Sequence, residues 1–207
     1  MSTPFSRRIA AVAMVAALSI ASTLVARGAR KPFSPQAPDY RRKGPRDAKV
    51  LIVEFSDFEC PACRHAEKPL KDLMALYDGK VRFVFKHFPL RMHERARPAA
   101  LAAECAGRQG RFWEYHDRLY AHQEEWTNPK MDSVLLSYAA ALKLDMDAWQ
   151  ACRKDPAAAQ EIEADLQDGN NAWVGSTPTF FIDGKRFVGA KQLAERGTTF
   201  VEKELKK

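Results

Sequence analysis

The chain has 207 residues, 46% of them hydrophobic, with a formal net charge of +7 and a pI near 9.3. That length and apolar content suit one domain with a sizeable core. Residues 48–207 carry 24 basic and 24 acidic side chains, so the surplus lies upstream, and the basic pI does not mark a nucleic-acid-binding body.

Arg7 and Arg8 precede an apolar run from Ile9 to Ala26, broken only by Ser19, Ser22 and Thr23. A basic segment followed by an apolar one reads as a signal peptide, with a small-residue cleavage site ending at Ala21. The run also reaches the roughly 17–25 residues of a membrane span. Residues 1–26 are therefore expected to be a signal peptide or an N-terminal membrane anchor. The flanks leave both open, because Arg27, Arg30 and Lys31 follow at once and disfavour export. Residues 27–47 hold seven basic side chains against Asp39 and Asp47. They are expected to form a basic, solvated linker, which would lie near anionic headgroups if the leader is retained.

The folded part is expected over 48–207. Lys49–Phe55 is apolar and β-branched, hence a strand. Glu54 interrupts it, and burying a lone carboxylate is costly, so a functional acid is expected there. Cys60-Pro61-Ala62-Cys63 follows, where the strand gives way to a helix carrying the Leu70/Leu73/Met74/Tyr77 stripe, with Pro69 expected to kink it. A thiol at a helix N-terminus is held toward the thiolate by free N–H groups and the macrodipole. Cys-x-x-Cys after a strand in a βαβ pattern reads as a redox motif. A zinc site needs two further ligands at matching spacing. Cys105 and Cys152 are isolated, and His87 and His93 are six apart, so no metal is expected.

Val81–Phe88 reads as a second strand, parallel to the first. Residues from about 94 to 173 have helical patterning, with breaks at Gly107–Gly110, Thr127-Asn128-Pro129 and Asp155-Pro156. Their aromatic residues, Phe112, Trp113, Tyr115 and Tyr120, read as helix packing, and no histidine is given a catalytic role. Thr179–Ile182 and Arg186–Val188 flank Asp183-Gly184-Lys185, a hairpin signal. Lys191–Leu205 is expected as a closing amphipathic helix. Pro178 opens the last strand run, and with a cis bond the Thr177 backbone would become an exposed edge able to pair with an extended substrate.

Four separated stretches occur in a shared order. They are Val53-Glu54-Phe55-Ser56-Asp57-Phe58-Glu59-Cys60-Pro61-Ala62-Cys63, Phe88-Pro89-Leu90, Gln109–Asp117 and Gly175-Ser176-Thr177-Pro178-Thr179-Phe180. From about Lys49 to Val201 the sequence resembles the DsbA-like thiol–disulfide oxidoreductases of the thioredoxin superfamily. The resemblance implies an α/β thioredoxin fold with an inserted helical subdomain. It implies Cys60 as nucleophile, Cys63 as resolving cysteine, Glu54 as buried acid and Pro178 as a cis-proline. Thr177, Pro61 and Ala62 would then face the substrate. Ala62 stands where the best-known members carry His, which implies a weaker oxidant. An even cysteine count in a chain read as exported favours a structural disulfide between Cys105 and Cys152 over two buried free thiols.

The expected function is disulfide introduction into reduced or unfolded exported polypeptides by an extracytoplasmic, monomeric enzyme. It would have no dissociable cofactor and would be reoxidised by a membrane quinone-linked partner. A reductase or isomerase of the same fold, or a module that only holds clients, are the alternatives.

Overall fold

A computed structural model describes residues 33–207, and the expected leader lies outside them. Ser34–Lys207 forms one compact unit. Its elements are a short 3-10 turn at Asp39–Arg41, β1 (Arg42–Lys43), β2 (Val50–Ser56), α1 (Pro61–Leu76) and β3 (Val81–His87). The helical insert follows: α2 (Ala96–Gly107), α3 (Phe112–Ala121), α4 (Gln123–Trp126), α5 (Met131–Ala141), α6 (Met146–Lys154) and α7 (Pro156–Asn171). The chain then returns through β4 (Thr179–Ile182) and β5 (Lys185–Val188) to α8 (Gly189–Gln192), a π-helical turn at Leu193–Gly197 and α9 (Thr198–Leu205).

The strands order as β1-β3-β2-β4-β5. The crossover through α1 makes β2 and β3 parallel, whereas β4 runs antiparallel to β2 and to β5. A central strand covered on both faces must be apolar throughout, and in β2 only Leu51 is less than fully buried. Alternation assigns Ile52, Glu54 and Ser56 to one face, with Phe83 and Phe85 beside them. Phe55 looks the other way, toward α7. There Gly169 lets the helix approach closely, since a Cβ would sit 2.4 Å from the Phe88 ring and 3.1 Å from that of Phe55.

The hairpin turn follows its sequence. Asp183 and Gly184 take φ values of 44° and 81°, the pair of positive angles a two-residue turn between twisted strands requires. Pro69 lies within α1, which continues through it to Leu76. The closing segment is not one regular helix. A π turn at Leu193–Gly197 interrupts it, and Leu193 and Val201 are both fully buried.

The linker departs most from expectation. Residues 39–43 are part of the fold: Arg42 and Lys43 pair with Val84 and Phe83, and Arg41 is completely buried. The reason is electrostatic. Arg41 meets Asp165 of α7 and, at 3.4 Å, Glu104 of α2. Glu104 also bonds Tyr40 and, at 3.2 Å, His87 Nε2. Asp165 further accepts from Lys86 at 3.1 Å and from the His87 N–H at 2.9 Å. Desolvation opposes ionisation of Glu104, yet His87, Arg41 and Tyr40 hold its pKa down to about 2. Arg41 is thus the counter-ion two insert helices need, and a mobile tether could not supply it. Removing one partner of a buried pair costs about 3–5 kcal/mol. Arg41→Ala is expected to lower unfolding stability by that amount in urea titrations. Arg46→Ala, at an exposed pair with Asp39, should change it by less than about 1 kcal/mol.

Candidate active site

Cys60 is the N-cap of α1, and Pro61 takes the first helical position, where its missing N–H costs nothing. The loop before it is fixed by Asp57. The carboxylate of Asp57 accepts from the N–H of Glu59 at 2.8 Å and of Leu90 at 2.8 Å, and pairs with His93 Nδ1 at 2.7 Å. Cys60 is 7% exposed and Cys63 fully buried; both are free thiols. The Thr177–Pro178 bond is cis, and the Cys60 thiol lies 3.5 Å from the Thr177 carbonyl oxygen. Pro61 and Ala62 are exposed beside it. A cleft of about 770 Å³ opens between the β3–α2 loop and α7; Phe88, Leu90, Leu166 and Val174 line it together with Arg91, Glu94, Arg97 and Glu163, and neither cysteine is part of its wall.

The two thiols are electrostatically unequal. The hydrogen bond from Cys63 does most to pull Cys60 down, to about 5. Desolvation works against it, while Thr177 and the N–H groups of Cys63 and Ala62 add to it. Burial, first, and the charge on Cys60 push Cys63 well up. Beneath Cys63, Glu54 is 1% exposed and its carboxyl is raised to about 8, chiefly by desolvation and then by the charge of Glu67. Ser56 Oγ donates to Glu54 Oε1 at 2.7 Å and lies 2.9 Å from the Tyr120 hydroxyl. At neutral pH the reduced site therefore holds an exposed-side thiolate, a deep thiol and a protonated acid.

A family profile described as Thioredoxin matches residues 36–202. The chain belongs to the thioredoxin family. Within it the fold is DsbA-like. Its fold superposes on BdbD from Bacillus subtilis with a TM-score of 0.68 at 26% identity, covering 81% of this chain and 93% of that one. Alpha-DsbA1 of Wolbachia pipientis gives a TM-score of 0.70 at 23% identity, covering 81% and 92%. In sequence, the chain is 43% identical over 148 residues to a protein named Na(+)/H(+) antiporter NhaA 3 in Salinispora tropica, which takes in 71% of this chain and 22% of the antiporter. The chain spans about a quarter or less of the length of the curated relatives it matches.

The DsbA-like fold gathers Glu54, Cys60, Cys63, Thr177 and Pro178 at one end of the sheet. Cys105 and Cys152 lie apart from them, joined in a disulfide that ties α2 to α6, with Cα atoms 5.7 Å apart. The sequence reading did not single out Ser56 or Glu67, took His116 as a hydrogen-bonded structural group, and took Tyr120 only as packing. A signal existed: Glu54 and Ser56 are two apart on a strand, Cys63 and Glu67 four apart on a helix, and His116 and Tyr120 four apart on another.

Two expectations follow. Iodoacetamide at pH 7 should label Cys60 of the reduced protein and leave Cys63 unmodified, with thiolate absorbance near 240 nm titrating at about 5. Mass spectrometry showing Cys63 labelled first would reverse the assignment. The second concerns stability of the oxidised form, in which neither thiol titrates. Glu54 holds its proton more tightly folded than unfolded, so stability is full below about 4.5 and falls as pH rises through about 8. Denaturant titrations should show a loss on the order of 4 kcal/mol across that window. Glu54→Gln should flatten the curve.

Proposed function

We propose that this chain is a thiol–disulfide oxidoreductase that oxidises reduced or unfolded polypeptides outside the cytoplasm. The observation that carries the reading is the low pKa of Cys60 above a buried, proton-holding Cys63. Stabilising the reduced pair makes the disulfide an oxidant. A client thiolate attacks Cys60 Sγ, Cys63 leaves, and a mixed disulfide forms. The client's second thiolate then attacks the client sulfur of that bond. The client leaves with a disulfide, and the protein keeps two reduced cysteines.

The Thr177 backbone beside Cys60 is where this reading has an extended client pair, since main-chain hydrogen bonds do not read sequence. Pro61 and Ala62 present no charge to the client. Oxidation repeated on many clients needs a partner that takes electrons from Cys60 and Cys63, and a membrane quinone-linked oxidase fits. The basic leader supports export, whether cleaved or kept as an anchor. Antiport is not part of this reading: among the described residues no helix is long and apolar enough to cross a membrane.

A Cys60 pKa of about 5 lies between those of thioredoxin, about 7, and DsbA, about 3.5. The reduction potential is accordingly expected between about −270 and −120 mV. Equilibration with glutathione buffers measures it, and a value at or below −270 mV, on the scale where thioredoxin sits at about −270 mV, would make the protein a reductase. In the same experiments the oxidised protein should regenerate activity in reduced, unfolded ribonuclease. Cys63→Ser, first loaded at Cys60 with glutathione from oxidised glutathione, should exchange it for a trapped mixed disulfide with the client, releasing reduced glutathione, and Cys60→Ser should do neither.

A further inference from the structure

We propose that the Asp57 N–H steadies the negative charge that forms on Cys63 Sγ when the disulfide opens, and that His93 is a positioning residue that holds this N–H in place. This extends the oxidoreductase reading and rests on it. The first observation is where the Asp57 N–H goes. The β2–β3 ladder ends at Ser56 and His87, so this N–H lies just beyond it. It donates to Cys63 Sγ at 3.4 Å. Cys63 is fully buried, and burial pushes its thiol well up. An anion there is costly without a donor. Ser56 also favours the anion, but its single hydroxyl hydrogen is engaged with Glu54 Oε1 at 2.7 Å. The backbone N–H is fixed in direction by its peptide plane.

The second observation is how that peptide is gripped. Asp57 is buried, and its carboxylate collects donors from two segments. The Glu59 N–H, at 2.8 Å, closes an Asx turn two residues on. The Leu90 N–H at 2.8 Å and His93 Nδ1 at 2.7 Å reach the other oxygen from the β3–α2 loop. The hydrogen is assigned to Nδ1, because the carboxylate oxygen accepts. The Asp57 carbonyl takes the Cys60 N–H at 3.1 Å. Glu59 adds a second tie to the same loop, accepting from the Arg95 N–H at 2.7 Å. A serine or asparagine would close the turn alone. A buried carboxylate is the costlier choice, and what it adds is the grip of Leu90 and His93 on the peptide that faces Cys63. The His93 side chain is 17% exposed, so it can be replaced without opening the core.

The chemistry gives this donor one step to act in. When a client thiolate attacks Cys60 Sγ, a bond forms between the client sulfur and Cys60 Sγ. The Cys60–Cys63 bond breaks, and its electron pair goes to Cys63 Sγ. One negative charge thereby passes from the client sulfur to the buried one. A donor already aimed where charge develops lowers the barrier most in a site that excludes water. In the following step the second client thiolate attacks the client sulfur, and Cys60 is the sulfur that leaves. No bond to Cys63 breaks there, so the Asp57 N–H assists the opening of the disulfide and not the release of the client.

That division supplies the test. Oxidised full-length protein is mixed with dithiothreitol, and opening of the Cys60–Cys63 bond is followed by acid quench, alkylation and mass spectrometry. His93→Ala should open roughly tenfold or more slowly than wild type. Asp57→Asn, which keeps the volume, should be slowed as well. His93→Asn, whose Nδ2 can stand where Nδ1 does, should recover most of the rate lost in His93→Ala. The second measurement uses Cys63→Ser loaded at Cys60 with glutathione. No bond to position 63 breaks in that reaction, so dithiothreitol should clear the glutathione as fast with His93→Ala added as without it. A turn that was merely loosened would slow both reactions together, and that result would overturn the proposal. So would wild-type opening rates in His93→Ala and Asp57→Asn. Dithiothreitol needs no client, so these outcomes stand apart from the ribonuclease assay, whose failure would sink the oxidoreductase reading instead.

Discussion

The structure depends first on a buried charge cluster that one N-terminal arginine completes. Glu104 and Asp165 project from two helices of the insert, and Lys86 and His87 from the strand beneath. Without Arg41 the cluster has one cation for two fully buried carboxylates, and a half-satisfied buried network is worse than an apolar contact. With it, α2, α7 and β3 are held in one register. That register sets the active site indirectly. The loop that follows β3 carries Leu90 and His93, which fix Asp57, and Asp57 fixes the turn into Cys60. The N-terminal segment thus acts as a buckle between sheet and insert, although it comes before every residue of the redox motif.

A second buried polar system lies below Cys63, and the two differ in a telling way. Around Arg41 the carboxylates are all engaged. Below Cys63 the acid is kept protonated by its surroundings, and one of its oxygens, Glu54 Oε2, has no hydrogen-bond partner. Systems of the first sort stabilise a single arrangement. Those of the second sort cost stability and persist where a proton must move. The disulfide of Cys105 and Cys152 belongs with the first, since it pins α2 to α6 within the insert and stands clear of the thiols.

Much of the fold was legible because it rests on local signals. The apolar run of β2, the Val and Phe alternation of β3 and the Asp183-Gly184 turn each appear where their residue types demand. The helical insert was visible as a long stretch without strand patterning. The linker was misread for a definite reason. Its residues are polar, basic and interrupted by proline, and no local pattern says that Arg41 has two carboxylates waiting 63 and more residues away. The π turn left no mark in the residue pattern, since Leu193 and Val201, eight apart, would share a face in an ordinary helix as well. At the site, cysteines and the strand acid stood out as costly or reactive residues. Ser56 and His116 did not, since a serine in a strand and a histidine in a helix are ordinary until both are found in contact with buried acid groups.

Ala62 illustrates how the site compensates for what its sequence lacks. The best-known DsbA-like proteins place a histidine before the second cysteine, a group able to lend positive charge or a hydrogen bond to the thiolate. Here that position is a methyl group facing solvent. The thiolate is instead supported from below and behind, by the Cys63 thiol, Thr177 and two backbone N–H groups at the start of α1. All of these act only while Cys63 keeps its proton. Once Cys63 ionises, its hydrogen bond becomes a repulsion between two sulfur anions. The low pKa of Cys60 is therefore conditional on the proton held on Cys63, and the groups that deliver that proton control how well the outer thiolate leaves. In this chain the task of tuning the exposed sulfur has moved from the motif's variable position to the buried side of the helix.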